Sequence, residues 1–302
     1  MVKRQAHSLN QSRLYSIGSK ARLAEILGLP SRKALEALIG RGDKGNYETF
    51  AKDDRHIECP IGLMKDCHKR LAALLSRIAL PDYVHSQKRR SYVTNARAHA
   101  RGVAVVKTDI TQYFPSTKFS HVQRLFSEDM KCPPDVAWYL TKLCTIGGHI
   151  PTGSYFSNPL SFLANRPLFD DIHGYARQKG CAMTLVQDDI VISGPGASRA
   201  LLNKVLMMIR RWGLLASRKP KKTKTYSAGA TKIVTGVVIK GSSITLPNRR
   251  HRLMSDAFRR ARSARSVAER QEAILELRGR INEADQIDPA AVHPQFRRLA
   301  KR

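Results

Sequence analysis

The sequence predicts a mixed α+β fold, and three observations carry that prediction. Apolar residues recur at three- and four-residue spacing in several separated stretches, which is the signature of amphipathic helices. Between them lie short β-branched runs closed by glycine, proline or paired aspartates, which read as strands. The 302 residues are 42% hydrophobic, enough for two or three compact subdomains, and no apolar run of 18 residues offers a membrane span.

The elements follow in order. Ser19 caps a turn carrying Leu23, Ile26 and Leu27, closed by Gly28 and Pro30. Ser31 caps a second turn with Leu35, Leu38 and Ile39, stopped by Gly40 and Gly42. Tyr47 to Ile61 is irregular with some strand character. Leu63 to Leu80 reads as one helix, with Leu63, Leu71, Leu74, Leu75 and Ile78 on a face and Pro81 as its stop. A basic loop, Ser86 to Ser91, comes next. Val103 to Lys107 is a β-branched strand ending at Thr108-Asp109. Pro133-Pro134 precedes a helix over Val136 to Cys144, and Ser157 to Gln178 reads as one longer helix. Ala182 to Leu185 and Ile190 to Ser193 are two strands joined at Gln187-Asp188-Asp189, with Gly194-Pro195-Gly196 after the second. Ser198 caps an amphipathic helix whose stripe is Leu201, Leu202, Val205, Leu206, Ile209 and Trp212, ended by Gly213. Ile233 to Ile239 reads as a single strand, followed by a turn at Gly241 and a run from Ile244 to Leu246. In the basic, helical tail, Ser266 and Glu269 have capping-box spacing ahead of Ile274, Leu277 and Ile281, and Asp288-Pro289 opens a last short helix. There are no internal repeats and no low-complexity linker.

Charge is the dominant global feature. Lys and Arg total 53 against 24 acids, a formal net charge of +29. Self-repulsion on that scale opposes compaction unless a polyanion is near, so nucleic acid is the expected partner. The cations are spread over Lys88 to Arg90, Arg218 to Lys224, Arg249 to Arg252, Arg259 to Arg265 and Arg297 to Arg302. Met1 to Asn10 is polar and basic and does not read as a secretory leader. The five cysteines (Cys59, Cys67, Cys132, Cys144 and Cys181) are odd in number and contain no C-x-x-C pair. That argues against a disulfide framework or structural zinc and suits a reducing cytoplasm.

Three carboxylates carry the chemistry. Asp109 ends one apolar strand, and Asp188-Asp189 sits between two others. A carboxylate pair in a poorly solvated place is costly without a cation. Phosphoryl transfer from a nucleotide uses such acids to hold two divalent ions about 4 Å apart. An Asp-rich hairpin turn alone would be the plain structural alternative.

On these residues the sequence resembles the reverse transcriptases, and more narrowly the retron reverse transcriptases of bacteria. Asp109-Ile110-Thr111-Gln112-Tyr113-Phe114-Pro115-Ser116 is similar to the family's first catalytic motif. Ile150 to Asn158, containing Pro151-Thr152-Gly153, resembles the motif that supports template and incoming nucleotide. Val186-Gln187-Asp188-Asp189 stands in the place of Tyr-x-Asp-Asp, and Gly213 to Thr225 looks like the basic motif that follows. Asn95-Ala96-Arg97-Ala98-His99 and Val234-Thr235-Gly236 are similar to two markers of the retron enzymes. The matches run in family order from about residue 55 to 250. Val186, Thr152 and Asn158 depart from the usual tyrosine, glutamine and proline.

The resemblance implies a right hand: an N-terminal helical segment (1–45), fingers (46–102), a palm with finger insertions (103–240) and a basic helical thumb (241–302). It implies RNA-templated DNA synthesis with two Mg²⁺ ions, Mn²⁺ substituting, held by Asp109, Asp188, Asp189 and the Ile110 backbone. Phe114 is then the gate that excludes a 2′-hydroxyl, and Thr152, Gly153, Arg55 and Lys222 face the nucleotide, although the basic run alone does not separate Lys222 from Lys224. Lys88, Arg89, Arg90, Asn95, His99, Val234, Thr235, Gly236, Arg249, Arg250, Arg259 and Arg260 are the expected nucleic-acid contacts, with a bracing hydrogen-bonded pair as the other reading of Asn95 and His99. The implied partners are dNTPs, a structured non-coding RNA, the branched RNA-linked DNA (msDNA) made from it, and a separate effector in anti-phage defence. The alternatives are a defence-type reverse transcriptase making other DNA, or a weakly catalytic nucleic-acid scaffold.

Overall fold

The structure, a computed structural model, describes residues 6–53 and 55–301. Residues 1–5 of the N-terminal basic segment and Arg302 of the last basic run lie outside the described residues. In chain order the elements are α1 (Lys20–Leu27), α2 (Arg32–Gly40), α3 (Gly42–Asn46), β1 (Tyr47–Lys52), β2 (Arg55–Pro60), α4 (Gly62–Leu75), α5 (Tyr92–Ala98), β3 (Val105–Asp109), α6 (Tyr113–Ser116), α7 (Phe119–Arg124), α8 (Pro134–Cys144), α9 (Ser157–Gln178), β4 (Ala182–Val186), β5 (Asp189–Ser193), α10 (Arg199–Arg211), β6 (Lys224–Tyr226), β7 (Lys232–Val234), β8 (Val237–Lys240), β9 (Ser243–Thr245), α11 (Asn248–Ser263), α12 (Val267–Ile287) and α13 (Pro294–Ala300). Among the described residues no helix is long and apolar enough to cross a membrane.

Local chemistry sets most boundaries. Ser19 and Ser31 accept from the amides of Arg22 and Ala34, both at 3.2 Å, and start α1 and α2. Ser266 and Glu269 form a reciprocal capping box on α12. Two expectations need correction. The helix expected through Leu80 stops at Leu75, because the next backbone is captured by the N-terminal segment: the His7 amide donates to Arg77 O at 2.9 Å and the Ala79 amide to His7 O at 2.8 Å. Leu63 lies 37% exposed, and Met64 takes the buried place instead. The single strand expected over Ile233 to Ile239 is a hairpin, β7 and β8. Thr235 and Gly236 both have left-handed φ, +44° and +78°, and turn the chain between the paired residues Val234 and Val237.

The chain divides into two compact units. The first comprises Met1–Pro81, Ile110–Ile172 and Leu206–Ala216. Its buried side chains include Leu23, Leu35, Leu71, Leu140 and Phe156, and its only sheet among the described residues is the β1–β2 hairpin. The second comprises Asp82–Asp109, His173–Val205 and Ser217–Arg302. It holds an antiparallel four-stranded sheet in the order β4-β5-β3-β6 and a three-stranded sheet β7-β8-β9. Val105, Val191 and Tyr226 from the larger sheet join Val234, Val237 and Ile239 from the smaller one. Met254, Leu277 and Ile281 of α11 and α12 complete this apolar core. The fold is thus α+β with antiparallel sheets.

Candidate active site

Strand alternation builds the site. Residues two apart on a strand share a face, so Val105, Lys107 and Asp109 of β3 face the same way as Asp189, Val191 and Ser193 of β5. The register sets Asp109 directly opposite Asp189, and Val186 of β4 opposite Asp189 on the other side. Two residues, Gln187 and Asp188, close the β4–β5 turn. Gln187 adopts a left-handed φ of +56°, a strained state for a residue with a Cβ. Strain of this kind persists where surrounding structure demands it, and here it turns the chain at Asp188 and Asp189.

The electrostatics are those of crowded acids. Burial, then the charge of Asp189, pushes the Asp188 carboxyl up to about 6. Burial also raises Asp189, against the opposing pull of Lys222. Lys222 Nζ lies 2.6 Å from Asp109 Oδ2 and 3.9 Å from Asp189 Oδ1. Burial works to lower the Lys222 ammonium, but the Asp109 hydrogen bond and the nearby carboxylates outweigh it and leave it raised. The second oxygen of Asp109, Oδ1, is buried without a hydrogen-bond partner. An orphaned carboxylate oxygen among three acids fits a cation. Among the described residues, however, no three His, Cys, Asp or Glu side chains already converge as a cage. Lys224 is set apart from the acids: it pairs with Lys107 in the sheet and lies over the Tyr226 ring at 4.9 Å.

Farther along the same face, a buried chain of hydrogen bonds grips the sheet. His99 bonds Ser193 Oγ through Nδ1 at 2.7 Å and Thr184 Oγ1 through Nε2 at 2.6 Å. Thr184 donates to Asn95 Oδ1, and Asn95 Nδ2 donates to Thr235 Oγ1 at 3.2 Å. Thr235 Oγ1 in turn donates to Tyr92 O at 3.0 Å. Asn95 and His99 are both 0% exposed, so their side chains meet protein and not solvent. Asn95 and His99 are not bonded to each other; both bond Thr184, and burial withholds the two side chains from solvent. The chain of bonds ties Asn-Ala-x-x-His to the Val-Thr-Gly turn, 140 residues away. Arg250 belongs to the same brace, over the Tyr92 ring at 5.1 Å and 3.2 Å from Glu283. Val234 is buried, while Lys88, Arg89, Gly236 and Arg249 are exposed. Arg90 pairs with Asp82 at 3.0 Å, and Arg259 and Arg260 pair with Asp256 and Glu276.

In the first unit, Thr152 and Gly153 are clasped to β2. Thr152 Oγ1 donates to His56 O at 2.7 Å and accepts from the Glu58 amide at 3.2 Å, so both roles of its hydroxyl are taken up inside the protein. The buried Glu58 carboxylate receives the Thr152 amide at 3.2 Å and lies 3.0 Å from His149 Nε2. A Cβ on Gly153 would stand 2.6 Å from Glu58 O, which explains the glycine by close backbone approach. Arg55 is exposed at the start of β2. Phe114 is half-buried beside Tyr113, with ring centroids 5.8 Å apart, and Ile110 is buried and bridges to Ala216. Sequence reading missed Glu58 and His149. Their only signal was strand alternation placing Glu58 on the inner face of a hairpin read as irregular.

No protein-family model matches the sequence. Against curated proteins, the chain is 27% identical over 255 residues to the Retron Se72 reverse transcriptase of Salmonella heidelberg (strain 579083-10), covering 78% of this chain and 66% of that one. By sequence the chain is similar to the retron reverse transcriptases. Two Escherichia coli relatives agree: the Retron Ec48 reverse transcriptase at 29% identity (37% of this chain, 28% of the relative) and the Retron Ec86 reverse transcriptase at 24% (57% and 53%). The chain therefore spans about two thirds or less of the length of these retron relatives. A solved foamy viral protease–reverse transcriptase in complex with double-stranded DNA is 15% identical, with a TM-score of 0.44, over 94% of this chain and 43% of that one.

Proposed function

We propose that this chain is an RNA-directed DNA polymerase of the retron type. In this reading it copies part of its own structured RNA into RNA-linked single-stranded DNA and works with a separate effector in anti-phage defence. Residues 46–102 serve as fingers, 103–240 as palm and 241–302 as thumb. The observation that carries the reading is Asp109 paired opposite Asp189 at one end of the two inner strands of an antiparallel sheet, with Asp188 in the adjoining turn and Asp109 Oδ1 left unpaired.

Asp109, Asp188 and Asp189, with the Ile110 backbone, would hold divalent cations, Mg²⁺ or Mn²⁺. A divalent cation bound there supplies charge neutralisation at the attacking and leaving oxygens of the phosphoryl group. The chain's own residues do the rest. The rigid β3–β5 register fixes the spacing of the carboxylates. Lys222 already neutralises Asp109 and carries N–H donors able to meet a triphosphate. Phe114 supplies bulk beneath the sugar, and exposed Arg55 supplies charge for the phosphates. The clasp of Thr152 and Gly153 onto β2 holds the nucleotide-side loop in place, with backbone and not the Thr152 hydroxyl facing substrate.

The test is dNTP incorporation on a primed RNA template. Asp188→Asn with Asp189→Asn removes charge at nearly constant size, and incorporation should fall by about 10³-fold or more, the scale of losing a preorganised electrostatic contact. RNA affinity should persist, because it rests on the basic surface. Wild-type incorporation rates in the double variant would remove the assignment. Extraction of nucleic acid from expressing cells, followed by a 2′,5′-debranching activity, should shift the mobility of the DNA on a denaturing gel. DNA that carries no RNA would move the protein to the defence-type class.

A further inference from the structure

The first unit carries a second cationic feature that none of the residues above accounts for. An open cavity of about 540 Å³ is lined by Arg13, Asp66, Lys69, Arg70, Ala73, Leu74 and Arg77. Five of these, 66, 69, 70, 73 and 74, come from one face of α4 at helical spacing, and Arg77 lies two residues beyond its end. Four cations thus face one carboxylate, and that carboxylate, Asp66, is taken by Lys69 at 3.2 Å in an exposed pair.

Arg70 is held in place. Its Nε donates to Ile26 O at 2.6 Å, near the end of α1. Its guanidinium lies where a side chain at position 28 would go: a Cβ on Gly28 would come within 3.0 Å of Nη1. Arg13 precedes Leu14, which is fully buried and anchors the segment. That segment is stitched to the far end of the cavity by the His7 bridge to Ile78, with the His7 amide on Arg77 O at 2.9 Å. Arg13 and Arg77 make no ion pair with any described residue.

We infer that this cavity is a docking site for the phosphates of a polynucleotide backbone, and that it positions the RNA without reading its sequence. The inference rests on the nucleic-acid reading above and adds a site to it. Arginine forks match phosphate oxygens in pairs of hydrogen bonds. The volume exceeds a single phosphate, which suits a stretch of backbone. Among the described residues no aromatic side chain lines the cavity, so none offers a base a stacking surface, and Ala73 and Leu74 give an apolar floor for sugar. Contacts confined to phosphate and sugar fix register and carry no sequence information.

The experiment measures binding of the full chain to an RNA duplex by fluorescence anisotropy across a NaCl series, with inorganic tripolyphosphate as the second ligand. Each phosphate contact contributes about 0.9 to the slope of log K against log salt. Arg13→Gln with Arg77→Gln should therefore flatten the slope by about 2 and weaken duplex binding, equally for duplexes of different sequence. An unchanged slope and affinity overturn the inference. Tripolyphosphate binding that disappears in the variant while duplex affinity stays constant also overturns it, by assigning the cavity to free phosphates. If circular dichroism shows that Arg77→Gln unfolds the chain, Arg13→Gln with Lys69→Gln, both at exposed positions, carries the same expectation. The polymerase reading fails separately, through absence of dNTP incorporation by the wild type, a result that does not depend on the slope.

Discussion

Phe114 shows what a single residue should decide. It is half-buried, with its ring beside Tyr113, and in the proposed reading that ring excludes a 2′-hydroxyl. Phe114→Ala should raise ribonucleotide incorporation relative to deoxyribonucleotide by about 10-fold or more, the discrimination that one pocket contact supplies. The measurement is the ratio of kcat/KM for rNTP and dNTP, and a constant ratio places the gate elsewhere. At this scale the sequence was legible where the chemistry is local. The three aspartates stood out because two apolar strands ended on them. Lys222 could not be told from Lys224 in a run of cations, because only the β3–β6 register separates them: Lys222 reaches Asp109, while Lys224 pairs with Lys107. Thr152 was read as facing the nucleotide, and nothing in its neighbours revealed that its hydroxyl bonds the hairpin from 94 and 96 residues away.

Among elements, α5 is the keystone of the second unit's hydrogen bonding. Its Asn95 links Thr184 of β4 to Thr235 of the β7–β8 turn, and His99 at its C-cap links β4 to β5. Asn95→Ala leaves Thr184 and Thr235 without that partner in a buried place. It should cost about 1–3 kcal/mol of stability, the penalty of an unsatisfied buried polar group. Urea unfolding measures it, and a double-mutant cycle with Thr235→Val should give a non-additive result if the two motifs act as one unit. The caps on α1, α2 and α12 were legible because Ser and Glu act within four residues of themselves. The β7–β8 hairpin was not, because its turn is Thr-Gly inside an unbroken β-branched run and the usual Asn-Gly signal is missing. The end of α4 was not legible either, since the segment that stops it lies some 70 residues earlier.

Over the whole molecule, a formal charge of +29 and several buried titratable groups shape the pH response, with two neutral histidines opposed by the raised Asp188 carboxyl. Burial lowers His99 to about 3 and His68 to about 4, against an ordinary value of 6.5. Between those values the unfolded chain binds protons that the folded chain refuses. The stability these rings contribute is therefore complete above pH 6.5 and is lost as the pH falls toward 4, by about 1.4 kcal/mol per pH unit for each histidine, while the raised Asp188 carboxyl offsets part of the loss below about pH 6. Urea midpoints at pH 7 and pH 5 should differ accordingly, and His99→Gln should reduce the difference. If His99→Gln leaves the difference unchanged, the His99 ring is not held neutral in the folded chain. The register of β3 against β5 has a consequence of another kind. Asp109 faces Asp189 across the pair, and like charges directly opposite weaken a sheet. Lys222 relieves this mainly at Asp109, and Asp189 remains a carboxyl that burial and Asp109 push toward its neutral form. The sheet thus carries opposed like charges at the place the proposed site occupies. Asp189→Asn should melt about 2 °C higher than wild type, the shift expected from about 1 kcal/mol in a chain of this size, while losing its activity. Selection for stability alone would discard that aspartate, so its presence records a second pressure that acts against the strength of the fold.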